Sequence, residues 1–316
     1  MLFKKKRKKS VKSINKSPTP KPQQRPLHFK PPEYPKVEFP KYEKAKKADE
    51  KGEDVNKPKK KSEEYKQSFI KTFNELSYRH NAWQVWNDFI FMAACAISNA
   101  VDKAHFEERE KQYLSVAKKY SKEEGVLFPK MLSYVVMALE LNPNQDFLGS
   151  IFMALGLGNK NSGQFFTPYH ICELMAEITM DGIAERVKKD GYVSINDCCC
   201  GAGATLIAAS NVARRKLYKE NLNFQNHICI VGQDIDQMVG LMCYIQISLL
   251  GMAGYVKIGN ALTEPIEEDD DKTNHWYTPM YFSDVWAMRR FIHSLSYEPN
   301  VNSSIDISKG ERKEEK

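Results

Sequence analysis

The chain has 316 residues, 42% of them hydrophobic and 11% aromatic, which allows one large domain or two small ones with a sizeable core. Its best apolar run, Phe89 to Ile97, is far shorter than the roughly 20 residues of a membrane span and reads as a buried helix. Seven cysteines, without a CxxC pair, argue against a secreted disulfide scaffold and a structural zinc site; no metal is expected, and a reducing cytoplasm fits better. No apolar stretch follows the Lys-rich first residues, so no secretory signal is read there.

The net charge of +7 is unevenly spread. Residues 1–66 hold 20 Lys and 2 Arg against 9 acidic residues, a net +13, together with nine of the 15 prolines. The remaining 250 residues carry a net −6. A segment so poor in aliphatic residues cannot bury enough apolar surface to offset chain entropy, so 1–66 is expected to be disordered. Its like-signed start, MLFKKKRKKS, suits an electrostatic arm for a polyanion, with a merely solubilising tail as the plainer reading.

From Gln67 the pattern becomes helical. Phe69, Ile70, Phe73 and Leu76, then Trp83, Trp86, Phe89, Ile90 and Ala93, recur at helix spacing. Further helices are expected over Phe106 to Tyr120, Leu127 to Leu141 and, after the break at Asn142-Pro143-Asn144, Asp146 to Leu155. Residues 67–158 thus read as a helical subdomain whose Trp and Met stripes are core. A Gly/Asn/Ser-rich loop then leads to Gly163-Gln164-Phe165-Phe166-Thr167-Pro168 and a helix from Tyr169, with Ile171, Leu174, Met175 and Ile178 on one face. Beyond it, strands at Tyr192 to Asp197, Ile228 to Val231 and Tyr255 to Ile258 alternate with helices at Ala204 to Leu217 and Gln237 to Leu250. That alternation predicts an α/β domain with a parallel sheet over 159–295, followed by a polar tail, 296–316. Ligands of such sheets bind outside the carboxyl ends of the strands.

Three signals fall at those ends. Asp197-Cys198-Cys199-Cys200-Gly201-Ala202-Gly203 joins a strand-end carboxylate to a glycine turn and a helix N-terminus. A carboxylate there suits a sulfonium or ammonium better than a pyrophosphate, and Leu206 stands where a dinucleotide fingerprint wants Gly or Ala. Asp234 ends the second strand, where an acid accepts both ribose hydroxyl hydrogens, with Asp236 as cap of the next helix. Asn260 ends the third, with an amide donor and acceptor that match an adenine edge; a plain turn role is equally consistent.

With the Gly163-to-Pro168 segment, these elements resemble the adenine-specific N6 DNA methyltransferases, above all the modification subunits of type I restriction systems. The six residues match that family's GQFFTP segment without departure, and Asp197 to Gly203 is similar to its D-P-x-x-G-x-G loop, with Cys198 in place of Pro. The helical region, including Asp146-Phe147-Leu148-Gly149, is similar to the helices that precede the family's core. The resemblance implies a Rossmann-like fold and S-adenosyl-L-methionine (SAM) as cofactor. It implies that Phe165, Phe166, Thr167, Pro168, Asp197, Cys199, Gly201, Gly203, Asp234 and Asn260 hold that cofactor. It also implies DNA as substrate, with adenine flipped out of the duplex for methylation at N6, and a specificity or other restriction-modification subunit as a further partner. Compact methylase-like proteins of phages and mobile elements of Gram-positive bacteria are similar in size.

The family's Asn/Asp-Pro-Pro-Tyr/Phe motif, which orients the adenine amino group, does not occur in the sequence. Its nearest counterpart is Thr278-Pro279-Met280-Tyr281-Phe282, with Thr278, Pro279 and Tyr281 as catalytic candidates. The alternative function is a catalytically degenerate, DNA-binding accessory subunit; methylation of RNA or protein is a third reading. The pair Arg289-Arg290 reads as a helix end facing solvent, with a phosphate contact as its functional alternative.

Overall fold

The computed structural model describes residues 57–158, 166–267 and 270–296. Helix α1 (Lys57–Ser77) opens the described chain, so regular structure begins inside the lysine-rich segment, ahead of the expected boundary after residue 66. Pro58 is compatible with a first helical turn. Phe69, Phe73 and Leu76, spaced four and three apart, are at most 1% exposed; the two Phe rings meet Trp86, and α1 also packs along α5 (Leu127–Leu141). The Ser62 hydroxyl reinforces this by donating to the Ala138 carbonyl. Between them lie α2 (Ala82–Val101), capped by the Asn81 side chain on Gln84 N, α3 (Phe106–Ala117), and the short α4 (Lys122–Gly125) with a Ser121/Glu124 capping box. Helix α6 (Phe147–Ala154) follows, with Asp146 as its N-cap.

Helices α7 (Tyr169–Thr179) and α8 (Ile183–Asp190) lead into the sheet. The sequence pattern did not signal α8, because Gly182 and Gly191 bracket only eight residues, three of them buried. Strand β1 (Val193–Asp197), helix α9 (Ala204–Lys219), the one-turn α10 (Phe224–His227), strand β2 (Ile228–Asp234), helix α11 (Gln237–Leu249) and strand β3 (Ala253–Ile258) then alternate as expected. Strands β1, β2 and β3 are parallel and lie in that order. The register sets Asp197 beside Gly232 and Asp234 beside Ile258. The sequence did not signal β4 (His275–Tyr277), which pairs antiparallel with β3, or the 3-10 turn Pro279–Phe282; beyond them helix α12 (Asp284–Ser296) carries the Arg289-Arg290 pair in its interior rather than at its end. A three-residue strand is too short to show alternation. Among the described residues β1 is an edge strand.

Helix α11 explains why the helical and α/β parts share one core. It is apolar on all sides, and every residue from Met238 to Ser248 is buried. One side packs on β2 and β3, the other on α2 and α6. A single hydrophobic cluster accordingly runs from Phe69 through Trp86, Phe152 and Tyr244 to Trp276. Arg109 of α3 ties the two parts further. Its guanidinium lies 3.9 Å over the Trp276 ring, donates to the His275 carbonyl at 2.7 Å and pairs with Asp102 at 3.0 Å. No described helix is long and apolar enough to cross a membrane.

Candidate cofactor site

The glycine loop between β1 and α9 is fastened to its neighbours through its own peptide groups. Cys200 N donates to the Gln233 carbonyl at 2.9 Å, and Gly203 N to the Cys200 carbonyl at 2.8 Å. Gly201 and Gly203 have φ of +55° and +95°, a region that side chains rarely tolerate. A Cβ on Gly203 would also meet Cys243 Sγ at 2.7 Å. Asp197, at the end of β1, accepts from Cys199 N at 3.0 Å and from the Thr205 hydroxyl. The Cys198 and Cys199 side chains are exposed, and Cys200 is buried.

The second acid joins this loop directly. Asp234 Oδ2 accepts from Gly201 N at 2.8 Å, and its Oδ1 accepts from Asp236 N at 2.9 Å. Burial holds the Asp234 carboxyl above the usual carboxylate range. The two amides oppose that shift, and the charges of Asp236 and Asp197 add to it. Asp236 caps α11 through Met238 N and Val239 N, as read from the sequence. Gly259 N donates to the Asp234 carbonyl at 2.9 Å and sets Asn260 beside the same strand end. Asn260 Oδ1 accepts from Leu262 N at 2.9 Å, the geometry of an Asx turn, so the turn role weighed for this residue is realised.

Phe166 brings in the upstream segment. Its ring lies 5.7 Å from that of Phe152 and 3.5 Å from where a Gly201 Cβ would stand. Thr167 and Pro168 are exposed, and the Pro168 carbonyl accepts from Ile171 N as α7 begins. Phe165 lies outside the described residues. The structure thus gathers Phe166, Asp197, Cys199, Gly201, Gly203, Asp234 and Asn260 at the carboxyl ends of β1, β2 and β3.

Thr278, Pro279 and Tyr281 are not brought there. Thr278 is fully buried; its hydroxyl accepts from Gly254 N at 3.0 Å and its own amide donates to the Gly254 carbonyl at 2.9 Å. Gly254 is the second residue of β3, about 13 Å along the strand from Ile258 at ~3.3 Å per residue. Because β4 runs antiparallel to β3, the segment that follows it arrives at the amino end of the sheet, opposite the cofactor site. Tyr281 stacks on Tyr277 with centroids 4.7 Å apart and lies under the Arg290 guanidinium at 4.0 Å. Thr278 and Tyr281 thus have structural partners at the amino end of the sheet, apart from the glycine loop. Thr278→Val should cost about 1–3 kcal/mol in denaturant unfolding, by stranding Gly254 N, and leave SAM affinity unchanged. Arg289 and Arg290 are likewise internal pins: Arg289 donates to the carbonyls of Gly191 and Asn226, Arg290 to that of Tyr281. Both are half-buried rather than a free helix end, because their acceptors are carbonyls at loop and turn positions that only the folded chain assembles.

The model of the N-6 DNA methylase family matches residues 152–306, a segment that begins in α6 and includes the whole site. The similarity to the N-6 DNA methylase family spans 155 of the 316 residues, just under half of the chain. No curated protein matches the chain. Among solved structures, a protein assigned as a class I SAM-dependent methyltransferase from Listeria monocytogenes is 14% identical, with a TM-score of 0.37. The match covers 66% of this chain and 55% of that one. The α/β architecture is observed in the chain itself, in the parallel β1–β3 sheet and the glycine loop that follows β1.

Two contributors to the site were missed in the sequence. Gln233 is 2% exposed; its carbonyl holds Cys200 N, and its amide donates to the carbonyls of Gly259 at 3.3 Å and Glu264 at 2.8 Å. It therefore links the loops after β1 and β3. The second is Gln246, on α11. Both are polar residues inside apolar stretches, the one signal that would have found them.

Proposed function

We propose that this chain transfers a methyl group from SAM to N6 of adenine in DNA. The observation that carries the reading is the meeting of the glycine loop with Asp234 through Gly201 N, with Asp197 ending the adjacent strand. Ionised carboxylates are acceptor-only groups. Two of them suit a ligand with a vicinal diol and a cationic amino-acid end, and they would repel phosphates. The donor set therefore fits SAM, which supplies the electrophilic methyl group when bound. Asp234 would accept from the ribose hydroxyls, and Asp197 would face the cationic end. Gly201 and Gly203 let backbone approach the ligand, and Phe166 closes the apolar side of the loop. DNA as substrate follows from the family segment, and the basic residues ahead of α1 are the cationic counterpart to its phosphates. A specificity subunit and a cytoplasmic location belong to the same reading.

Expression in a host without adenine methylation, followed by nucleoside mass spectrometry, tests it. N6-methyladenine in DNA is the expected product; its absence beside well-folded protein, with varied target sequences present, would defeat the reading. Deleting residues 1–56 should weaken DNA binding and flatten its salt dependence, by about 0.9 in log–log slope per lost phosphate contact. An unchanged slope would remove the arm from the DNA contact.

A further inference from the structure

Gln246 of α11 is fully buried, 44 residues from the glycine loop and 100 from the N-cap of α6 in sequence, and it touches both. Its Nε2 donates to the Ala202 carbonyl at 2.8 Å and to Asp146 Oδ1 at 2.8 Å, while its Oε1 accepts from Leu148 N at 3.0 Å. Both amide hydrogens and the oxygen are thereby used. Asp146 Oδ1 also accepts from Gly149 N at 2.9 Å. A Cβ on Gly149 would run into the Asp146 carboxylate, so the Asp146-Phe147-Leu148-Gly149 run is shaped for this capping geometry. Ala202 lies between the two glycines with positive φ, one of which donates to Asp234. The loop therefore has ties to β2 through Gln233 and Asp234, and a tie to the helical region through Gln246.

We infer that Gln246 is a positioning residue that fastens the cofactor loop to the start of α6, so that cofactor binding and the packing of the helical region are coupled. The coupling rests on the cofactor reading of the loop. A buried amide with every group engaged has two alternatives on displacement, a full set of new partners or several unsatisfied groups, and the second costs more than the bonds are worth individually. The loop and α6 therefore shift together. By linkage, whatever orders α6 favours the cofactor, and the reverse. Asp146 accepts from Gln246 and Gly149 through the same oxygen, Oδ1, so an amide in its place keeps the acceptor that matters.

Hydrogen exchange on the full chain, read by mass spectrometry without cofactor, isolates the positioning role. In Gln246→Met, exchange over 198–204 and 146–152 should speed by about tenfold or more while β3 stays as slow as in wild type. Asp146→Asn should keep the wild-type pattern. Calorimetry should then show SAM affinity lowered about tenfold in Gln246→Met and held in Asp146→Asn. Unchanged loop exchange in Gln246→Met, or equal loosening of loop and β3, would overturn the inference. If Gln246→Met does not fold, wild type decides: SAM must slow exchange over 146–152 as well as over the loop, and protection confined to the loop refutes the coupling. The cofactor-free exchange result stands even if SAM fails to bind, so the two readings fail separately.

Discussion

Gly254→Ala is expected to separate β3 from β2. Gly254 has φ of +152°, and a Cβ there would fall on the Ile230 carbonyl oxygen, with the Ile230 nitrogen only 2.8 Å away. Backbone in the middle of a parallel pair cannot yield as a flexible side chain can. Strain of this kind costs about 1–3 kcal/mol, and forced overpacking a similar amount, so a loss of about 4 kcal/mol is expected. That is a large share of the stability of a domain. The same position receives Thr278, so the effect would spread to β4 and the aromatic cluster behind it. Urea unfolding of Gly254→Ala beside wild type measures it; a midpoint change equivalent to under about 1 kcal/mol would contradict the close approach.

Asp234→Asn should divide stability from binding. The folded-state pKa of Asp234 is raised, chiefly by burial, so its contribution to stability is present below the ordinary carboxylate pKa and lost as pH rises through the folded value. At neutral pH the ionised group works against folding, and a neutral amide removes that cost. Against this, the amide offers one oxygen where the carboxylate offers two, one to Gly201 N and one to Asp236 N, a loss of about 1 kcal/mol. The two effects nearly offset, and ligand-free stability at neutral pH should change by no more than about 1 kcal/mol, with a flatter dependence on pH just above the ordinary carboxylate range. Cofactor affinity should fall much further. Hydrogen bonds to a charged acceptor contribute about 1.5–3 kcal/mol, which converts to roughly 10- to 100-fold. Thermal melting with and without SAM reads both effects. A variant that binds SAM as wild type does would remove Asp234 from the ribose site.

The β1–β3 sheet and its glycine loop were legible in the sequence because each of these elements is locally encoded. Val193 to Asp197, Ile228 to Val231 and Tyr255 to Ile258 are short apolar runs closed by Gly, Asn or Asp, and Asp236 caps a helix that starts immediately after it. The glycines at 201 and 203 mark positive φ that no other residue type signals as plainly. What stayed hidden depends on long-range meetings. Antiparallel β4 diverts the chain to the amino end of the sheet, and nothing in Thr278-Pro279-Met280-Tyr281 reports which end it will reach. Thr278 and Tyr281 meet Gly254, Tyr277 and Arg290, partners that lie far from them in sequence or on elements the pattern does not announce. Gln246 was opaque for the same reason, since its three partners are brought to it only by the packing of α6 and the glycine loop on α11.

Whether Asp197, Asp234 and the glycine loop hold SAM is decided by calorimetric titration of the full chain beside an Asp197→Ala, Asp234→Ala double variant. Saturable binding of one SAM per chain in wild type, lost in a double variant that retains wild-type circular dichroism, is the result expected from acids that end β1 and β2 around the glycine loop. Absence of binding to folded wild type, or equal binding by the double variant, would contradict the assignment of this site to the cofactor.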